Sequence, residues 1–396
     1  MTNGGDTRPG VPRLTARAAL VHDWFQGYHG AERVANVLRT DLFAAGHEPD
    51  VLTFSAAREL LPPDLARSIV KESRLARLPG VRQRGLEPGR WRYLLPYMPH
   101  YFESLQLGGY DLVISSSHAC AAHVRARADA LHVVYCYTPM RYAWMPQVDE
   151  RAVGGIGQVL FESFRSWLRR VDYRAAQGPD LYLAISTAVQ DRILRFYGRE
   201  STVVGAPVDT DDISPIEDKD ERLFLWVHRL VPYKRPDVVI EAFRNLPYRL
   251  TMVGIGPLER SLRDRLPSNV ELRSWVSRAE LVRLYQRASA FIHVGEEDFG
   301  ITMVEALAAA TPVIALNRGG ARDIVRPNVD GVLIAEARSD LLRDAIAAVS
   351  SEKWDVRALV SRARSFSREH FANRVLNEIE PLLAAGPPSI EPARGE

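Results

Sequence analysis

The stretch AFIHVGEEDFGITMVEALAAATPVIAL, residues 290–316, decides how the rest of the chain reads. It opens with an apolar run of strand length, AFIHVG (290–295). A polar turn through Glu297, Asp298, Phe299 and Gly300 follows, then a helical pattern from Ile301 and a second apolar run, PVIAL (312–316). Strand, helix and strand in this order, with both strands apolar throughout, predict parallel strands buried by helices on both faces.

The same alternation extends outward from residue 17 to about residue 365. Strands are expected at AALVHD (18–23), DVLTFS (50–55), DLVISS (111–116), LHVVYC (131–136) and DLYLAIS (180–186) in the first half. The second half adds RLFLWV (222–227), RLTMVG (249–254), NVELRSW (269–275) and GVLIA (331–335). Helical patterns such as GAERVANVLRTDLFAAG, RPDVVIEAFRNL and RAELVRLYQRAS lie between them. One polar, acidic segment, PVDTDDISPIEDKDE (207–221), interrupts the series and reads as a linker. The expected organisation is an N-terminal unit (1–206), the linker (207–221), a C-terminal unit (222–366) and a final segment (367–396). That segment contains an amphipathic helix, SREHFANRVLNEIEPLLAA (367–385), and a Pro/Gly tail (386–396) expected to be disordered. Two doubly wound α/β units facing each other across a cleft follow, with ligands beyond the C-terminal ends of the strands.

Composition narrows the function. The 396 residues carry a net charge of +2, with 46% hydrophobic and 25% charged residues, as in a globular protein without the basic excess of a general nucleic-acid binder. The two cysteines, Cys120 and Cys136, sit in apolar surroundings and read as buried free thiols of a reducing compartment. The N-terminal MTNGGDTRPGVPRLTAR lacks a signal-peptide core, and no apolar run is long enough to span a membrane, so a cytoplasmic protein is expected.

Three turns carry chemistry. In EDFGIT the amides of Gly300, Ile301 and Thr302 open a helix, where unsatisfied donors and the helix dipole suit a phosphate. Glu297 and Glu305 flank them as acceptors for sugar or ribose hydroxyls. In WVHRLVPYKRPDVVIEAF (226–243), Arg229 and Lys234 follow a strand and can neutralise a diphosphate leaving group without a metal. In MVGIGP (252–257), Gly254 and Gly256 permit a tight turn and close backbone approach to a ligand. No His/Cys/carboxylate group has metal-site spacing along the chain, so no metal and no cofactor are expected. Asp209-Thr210-Asp211 has the form of a metal–nucleotide DxD but sits in the acidic linker rather than between strand and helix, and reads as chance.

R-x4-K, then GxGP, then E-x7-E, each on a strand–helix turn, resembles the C-terminal domain of family-4 glycosyltransferases, a large retaining family of GT-B fold. VHDWFQGYHGAERV (21–34), GYDLVISSSHA (109–119), VVYCYTPMRYAW (133–144) and AISTAVQDRI (184–193) resemble the subgroup containing mannosyltransferases of O-antigen and capsule assembly. The resemblance covers residues 17 to 385 and implies a final helix returning to the N-terminal domain. It implies that Arg229 and Lys234 bind the donor diphosphate, Glu297 meets the donor sugar and Glu305 holds the ribose. Gly300, Ile301 and Thr302 offer amides to the diphosphate; Gly254 and Gly256 shape the nucleotide pocket, with Trp275 and Val276 near the base. The loop around Gly27, Gly30 and Ala31 approaches the donor phosphates.

There are two departures. Tyr137 stands where the family carries a histidine that touches the transferred sugar; as a catalytic candidate it either takes over that contact or merely fills the space. His29 stands where the subgroup has glycine. Asp23, with His22, either faces the acceptor or serves structure; His118 is a candidate cleft residue and Arg141 an acceptor or phosphate contact. Residues 71–105 interleave Lys71, Arg74, Arg77, Arg82, Arg84, Arg90 and Arg92 with Trp91, Tyr93, Tyr97, Tyr101 and Phe102. That composition suits a segment resting on an anionic membrane surface or gripping a lipid-diphosphate acceptor, or else a solvated loop followed by a partly buried helix.

The resemblance implies a retaining transferase that moves a hexose, in the first instance mannose from a GDP-sugar, onto a hydroxyl of a glycan, glycolipid or small molecule. A UDP-sugar-dependent transferase of a glycosylated metabolite and a non-catalytic subunit of the same fold are the alternatives. A sugar-nucleotide epimerase would need a carboxylate/His acid–base set. A dinucleotide oxidoreductase would need a GxGxxG that GYHGAERV does not supply.

Overall fold

The computed structural model describes residues 13–81, 90–145 and 156–385, with the backbone alone at 90–92 and 156–161. Two parallel sheets organise the chain. The first contains β1 (Ala18–His22), β2 (Asp50–Thr53), β3 (Ile69–Glu72), β4 (Leu112–Ser117), β5 (Leu131–Cys136), β6 (Leu181–Ala184) and β7 (Thr202–Val203), in the order β3-β2-β1-β4-β5-β6-β7. The second contains β8 (Asp220–Val227), β9 (Arg249–Val253), β10 (Val270–Arg273), β11 (Ala288–His293), β12 (Val313–Leu316) and β13 (Gly331–Ile334), in the order β10-β9-β8-β11-β12-β13. The central pairs β1–β4 and β8–β11 are parallel, as are their neighbours β1–β2 and β8–β9.

In both sheets the order runs outward in one direction from the first strand and then reverses, which makes a switch point at β1/β4 and another at β8/β11. Two crossovers leaving such a point in opposite directions open a crevice at the carboxyl ends of the strands, where ligands bind in folds of this kind. The strands are apolar because helices cover both faces: Leu20, Val21, Ile114, Phe224, Leu225, Phe291 and Ile292 are all essentially buried.

By contacts the chain divides into two units. The first contains residues up to Leu183, Arg192–Thr202 and everything from Ala372; the second contains Ala184–Asp191 and Val203–Phe371. The final helix, Arg368–Ala385, therefore contributes most of its length to the first unit, where Glu378 accepts a 3.1 Å bond from Thr202 Oγ1.

Three expectations change. β3 escapes the sequence because it is a short edge strand whose Val70 and Lys71 are exposed, as edges often are. The two-residue β7 carries too few residues for any periodicity. The acidic segment 207–221 is bound into the second unit: Asp220 and Glu221 open β8, and the Lys219 ammonium is a staple. Lys219 Nζ donates to the carbonyls of Gln286 (2.9 Å) and Ala309 (3.2 Å) and to Thr311 Oγ1 (2.8 Å), tying the segment to two helix C-termini. The tail 386–396, Arg82 and Arg84, and the side chains of Arg90, Trp91 and Arg92 lie outside the described residues.

Replacing Lys219 by Met should strand those acceptors and lower the unfolding free energy by about 2–4 kcal/mol. Urea unfolding of the variant checks this, and a stability within error of the parent would remove the staple.

Candidate active site

The second unit brings its chemistry together at the β8/β11 switch point. Lys234 ends a turn (Pro232–Lys234) that follows β8, and Glu297 stands in the turn after β11. The Lys234 ammonium is in contact with Glu297 Oε1, and Lys234 is only 6% exposed. The approach depends on glycine. A Cβ on Gly295 would lie 3.0 Å from Lys234 Cα, and one on Gly319, whose φ is +58°, would lie 2.0 Å from the Glu297 carbonyl oxygen. Gly320 N–H donates 2.9 Å to the same carbonyl.

Beneath this ion pair lie two buried histidines. His228 and His293 stack edge to face with ring centres 4.6 Å apart. His228 Nδ1 is 3.5 Å and His293 Nε2 is 3.9 Å from Glu297 Oε1. Burial, reinforced by the nearby Lys234 ammonium, holds both imidazoles well below their usual pKa, so both are neutral. The three groups have spacing that a metal ion could use, which the sequence concealed because they come from one strand and two turns. Here, however, the cation on Glu297 is Lys234.

The helix Ile301–Ala308 starts next to this pair. Gly300 precedes it at φ +106°, and a Cβ there would meet Met303 Cε at 2.3 Å. Ile301 and Thr302 are half-buried in the first turn, and Glu305 lies a turn further on, with Arg278 Nη1 at 2.6 Å and Tyr285 Oη at 3.0 Å from its two oxygens. Arg229 is exposed and forms no ion pair among the described residues. Trp275 is 79% exposed just beyond β10, beside half-buried Val276.

In the first unit the β1/β4 switch point is organised by Asp23. Its Oδ2 accepts the amides of His118 (2.7 Å) and Ala119 (3.0 Å), and its Oδ1 those of Cys120 (2.6 Å) and Ala121 (2.7 Å). His118 sits on this turn, half-buried, with Nδ1 3.4 Å from Asp23 Oδ2 and Trp24 edge-on at 4.5 Å. Its pKa is lowered by burial more than the Asp23 charge raises it. Tyr137 follows β5, and its hydroxyl donates 2.9 Å to the Ala31 carbonyl and lies 2.8 Å from Ser116 Oγ. Ser116 Oγ and its carbonyl are in turn 3.0 and 3.1 Å from His22 Nδ1. Burial drives His22 down to about 3, so its ring is neutral and Nδ1–H can donate to the Ser116 carbonyl. The hydroxyl proton of Ser116 is then free to reach Tyr137.

Two family models match in tandem: Glycosyltransferase Family 4 over residues 28–212 and Glycosyl transferases group 1 over residues 208–366. The chain is built from these two glycosyltransferase domains. A D-inositol 3-phosphate glycosyltransferase of Rhodococcus opacus (strain B4) is 28% identical, over 54% of this chain and 57% of the relative. The chain thus matches only about half the length of such curated relatives. Among solved structures, Anabaena HepE in complex with UDP has a TM-score of 0.68 at 16% identity, covering 92% of this chain and all of that one. Sucrose-phosphate synthase from Thermosynechococcus elongatus has a TM-score of 0.64 at 17% identity, over 93% and 100%. At those identities the likeness shows the fold, which is GT-B.

Within the group 1 domain, Arg229, Lys234, Glu297, Gly300, Ile301 and Thr302 all follow β8 or β11, the two strands of the switch point. A Cβ on Gly254 would lie 1.8 Å from the His228 carbonyl oxygen, and one on Gly256 2.4 Å from that of Leu230, so these glycines admit the neighbouring backbone.

In the family 4 domain the structure favours the structural alternative at two positions. Asp23 is fully buried, and four backbone amides occupy its oxygens, so it holds the 118–121 turn instead of touching substrate. Tyr137 is 7% exposed with its hydroxyl engaged on both sides; it ties the first turn of the helix Gly30–Thr40 to β4 instead of presenting its phenol to a sugar. Gly27 is buried under His29, whose Nε2 a Cβ would meet at 2.6 Å, while Gly30, Ala31 and Arg141 are half-buried. The sequence missed Gly295, Gly319, Gly320, Arg278 and Tyr285. Of these only Gly319-Gly320, directly after the PVIAL strand, left a readable signal.

Glu32 is a further buried group, in the first turn of the Gly30 helix, and accepts the His29 amide at 3.2 Å. Burial raises its carboxyl from the ordinary 4.5 to about 7. A carboxyl raised on folding favours the folded state in its protonated form, so that stability is complete below pH 4.5 and is lost as pH rises through 7. Glu32→Gln, neutral at every pH, should match the parent near pH 4.5 and exceed it by up to about 3 kcal/mol at pH 8. Denaturant unfolding across that range is the measurement, and parallel profiles would sink the assignment.

Proposed function

We propose that the chain is a retaining nucleotide-sugar glycosyltransferase whose group 1 domain holds the donor. The carrying observation is the Lys234–Glu297 pair at the switch point, beside the amides that open the Ile301 helix. In this reading Arg229 and Lys234 take the diphosphate, Glu297 the sugar hydroxyls and Glu305 the ribose. The bond from the anomeric carbon to the diphosphate oxygen breaks, a bond to the acceptor oxygen forms on the same face, and the acceptor proton passes to the departing diphosphate.

The sequence resemblance supports GDP-mannose as donor, and the UDP held by the Anabaena neighbour supports a UDP-hexose. Exposed Trp275 offers a flat surface that takes either base by stacking. The acceptor is a hydroxyl of a glycan, glycolipid or small molecule, and the name of the Rhodococcus relative adds a phosphorylated cyclitol to that group. Peripheral attachment to the cytoplasmic face of an anionic membrane through residues 71–105 belongs to the same proposal. Exposed Lys71, Arg74, Arg77, Tyr93 and Tyr97 support it. Among the described residues no helix is long and apolar enough to cross a membrane.

A thermal-shift comparison of GDP, GDP-mannose, UDP and UDP-glucose tests the donor, since a bound ligand raises stability by mass action. No shift with any of them would remove the reading. Arg229→Ala and Lys234→Ala should each cut turnover by about a hundredfold or more. Folded variants with near-parental rates would remove the diphosphate assignment.

Because Lys234 supplies the cation on Glu297, turnover should survive excess EDTA. Activity that EDTA abolishes and Mn²⁺ or Mg²⁺ restores would instead call for a metal, with Asp209 and Asp211 or the His228, His293 and Glu297 group as its candidate ligands.

A further inference from the structure

Asp212 lies in the segment that reads as a linker, yet it grips a residue of the donor half. Its two oxygens accept from Arg278 in a fork, Nε to Oδ2 at 3.0 Å and Nη2 to Oδ1 at 3.2 Å. The same guanidinium directs Nη1 to Glu305 Oε1 at 2.6 Å. The other Glu305 oxygen accepts Tyr285 Oη at 3.0 Å. Tyr285 is fully buried, and its own carbonyl is fixed by Thr311 Oγ1 at 2.6 Å. Arg278 opens the helix Arg278–Arg287, capped by Ser277, whose hydroxyl accepts the Glu280 amide at 3.2 Å.

A carboxylate can accept about four hydrogen bonds, two at each oxygen. With one position on each oxygen taken, Glu305 cannot rotate, and one acceptor position on each remains at fixed spacing. We infer that Arg278 and Tyr285 are positioning residues that hold Glu305 for the two adjacent hydroxyls of the donor ribose, and that Asp212 keeps Arg278 in place. The inference rests on the reading that Glu305 takes the ribose. Asp212 is needed because the Arg278 side chain is 38% exposed and, held by a single carboxylate, would be free to swing into water. The acidic segment thus helps select a ribonucleotide.

Isothermal titration of the full chain with GDP and UDP and their 2′-deoxy counterparts tests this. The parent should prefer the ribonucleotide of its cognate base. Arg278→Gln and Asp212→Asn should each weaken ribonucleotide binding by about tenfold while changing 2′-deoxynucleotide binding little, so the preference collapses. The double variant should be no worse than Arg278→Gln, because Asp212 acts through Arg278. An unchanged preference in both single variants overturns the positioning role, and additive losses overturn the link from Asp212 to Arg278. Glu305→Gln separates the two levels. If it leaves the preference intact, Glu305 does not take the ribose and the reading beneath the inference fails. If it abolishes the preference while Arg278→Gln does not, only the inference fails.

Discussion

A buried ammonium requires a counter-charge, and in the second unit that requirement fixes the geometry of everything around it. Lys234 is almost fully removed from water, and Glu297 is its partner. Removing either member would leave an uncompensated charge inside the fold, a loss of about 3–5 kcal/mol. The turns after β8 and β11 must therefore meet, and they meet because Gly295 lacks a side chain that would collide with Lys234; Gly319, in the turn after β12, lets that turn close onto the Glu297 carbonyl. The neutral His228 and His293 follow from the same constraint, since a second cation beside Lys234 would be repelled in a site with little water to screen it.

The first unit solves a related problem with a buried anion. Asp23 is compensated by four main-chain amides of the turn that follows β4, with His118 Nδ1 a further 3.4 Å neighbour of its Oδ2. Such an arrangement makes the turn's shape a consequence of one carboxylate, and it places His118 at the carboxyl ends of β1 and β4. The chain from His22 through Ser116 to Tyr137 and Ala31 adds a second tie between the same strands and the helix that follows β1.

These two devices explain what could be read from the sequence. Continuous apolar runs such as LHVVYC and AFIHVG announce parallel strands because burial on both faces leaves no alternation to confuse them. Turn residues after those strands were therefore placeable, which is how Arg229, Lys234 and Glu297 could be brought to one switch point. Partners joined across long separations had no local signature: Asp23 with residues 118–121, Asp212 with Arg278, Lys219 with Ala309. An acidic stretch with prolines looks like a linker whether or not its charges are satisfied, and here Lys219 and Asp212 both are. Tyr137 was placed correctly after its strand, but the direction of its hydroxyl depends on Ser116 and Ala31, which only the fold brings within reach.

In the proposed reading, two carboxylates beside a helix N-terminus pose a difficulty for an anionic ligand, because Glu297 and Glu305 would repel a diphosphate that the amides attract. The structure lessens the difficulty before any donor arrives. Lys234 sits on Glu297 and offsets its charge, whereas Arg278 is shared between Glu305 and Asp212 and offsets the Glu305 charge only in part. Both keep acceptor positions for hydroxyl groups, which respond to hydrogen-bond geometry more than to net charge. In the proposed reading the attraction for phosphate comes from the amides that open the Ile301 helix, from Lys234, and from Arg229, which forms no ion pair among the described residues. In that reading, attraction for the phosphates and recognition of hydroxyl groups fall to different groups, and a nucleotide-sugar presents both needs within one ligand.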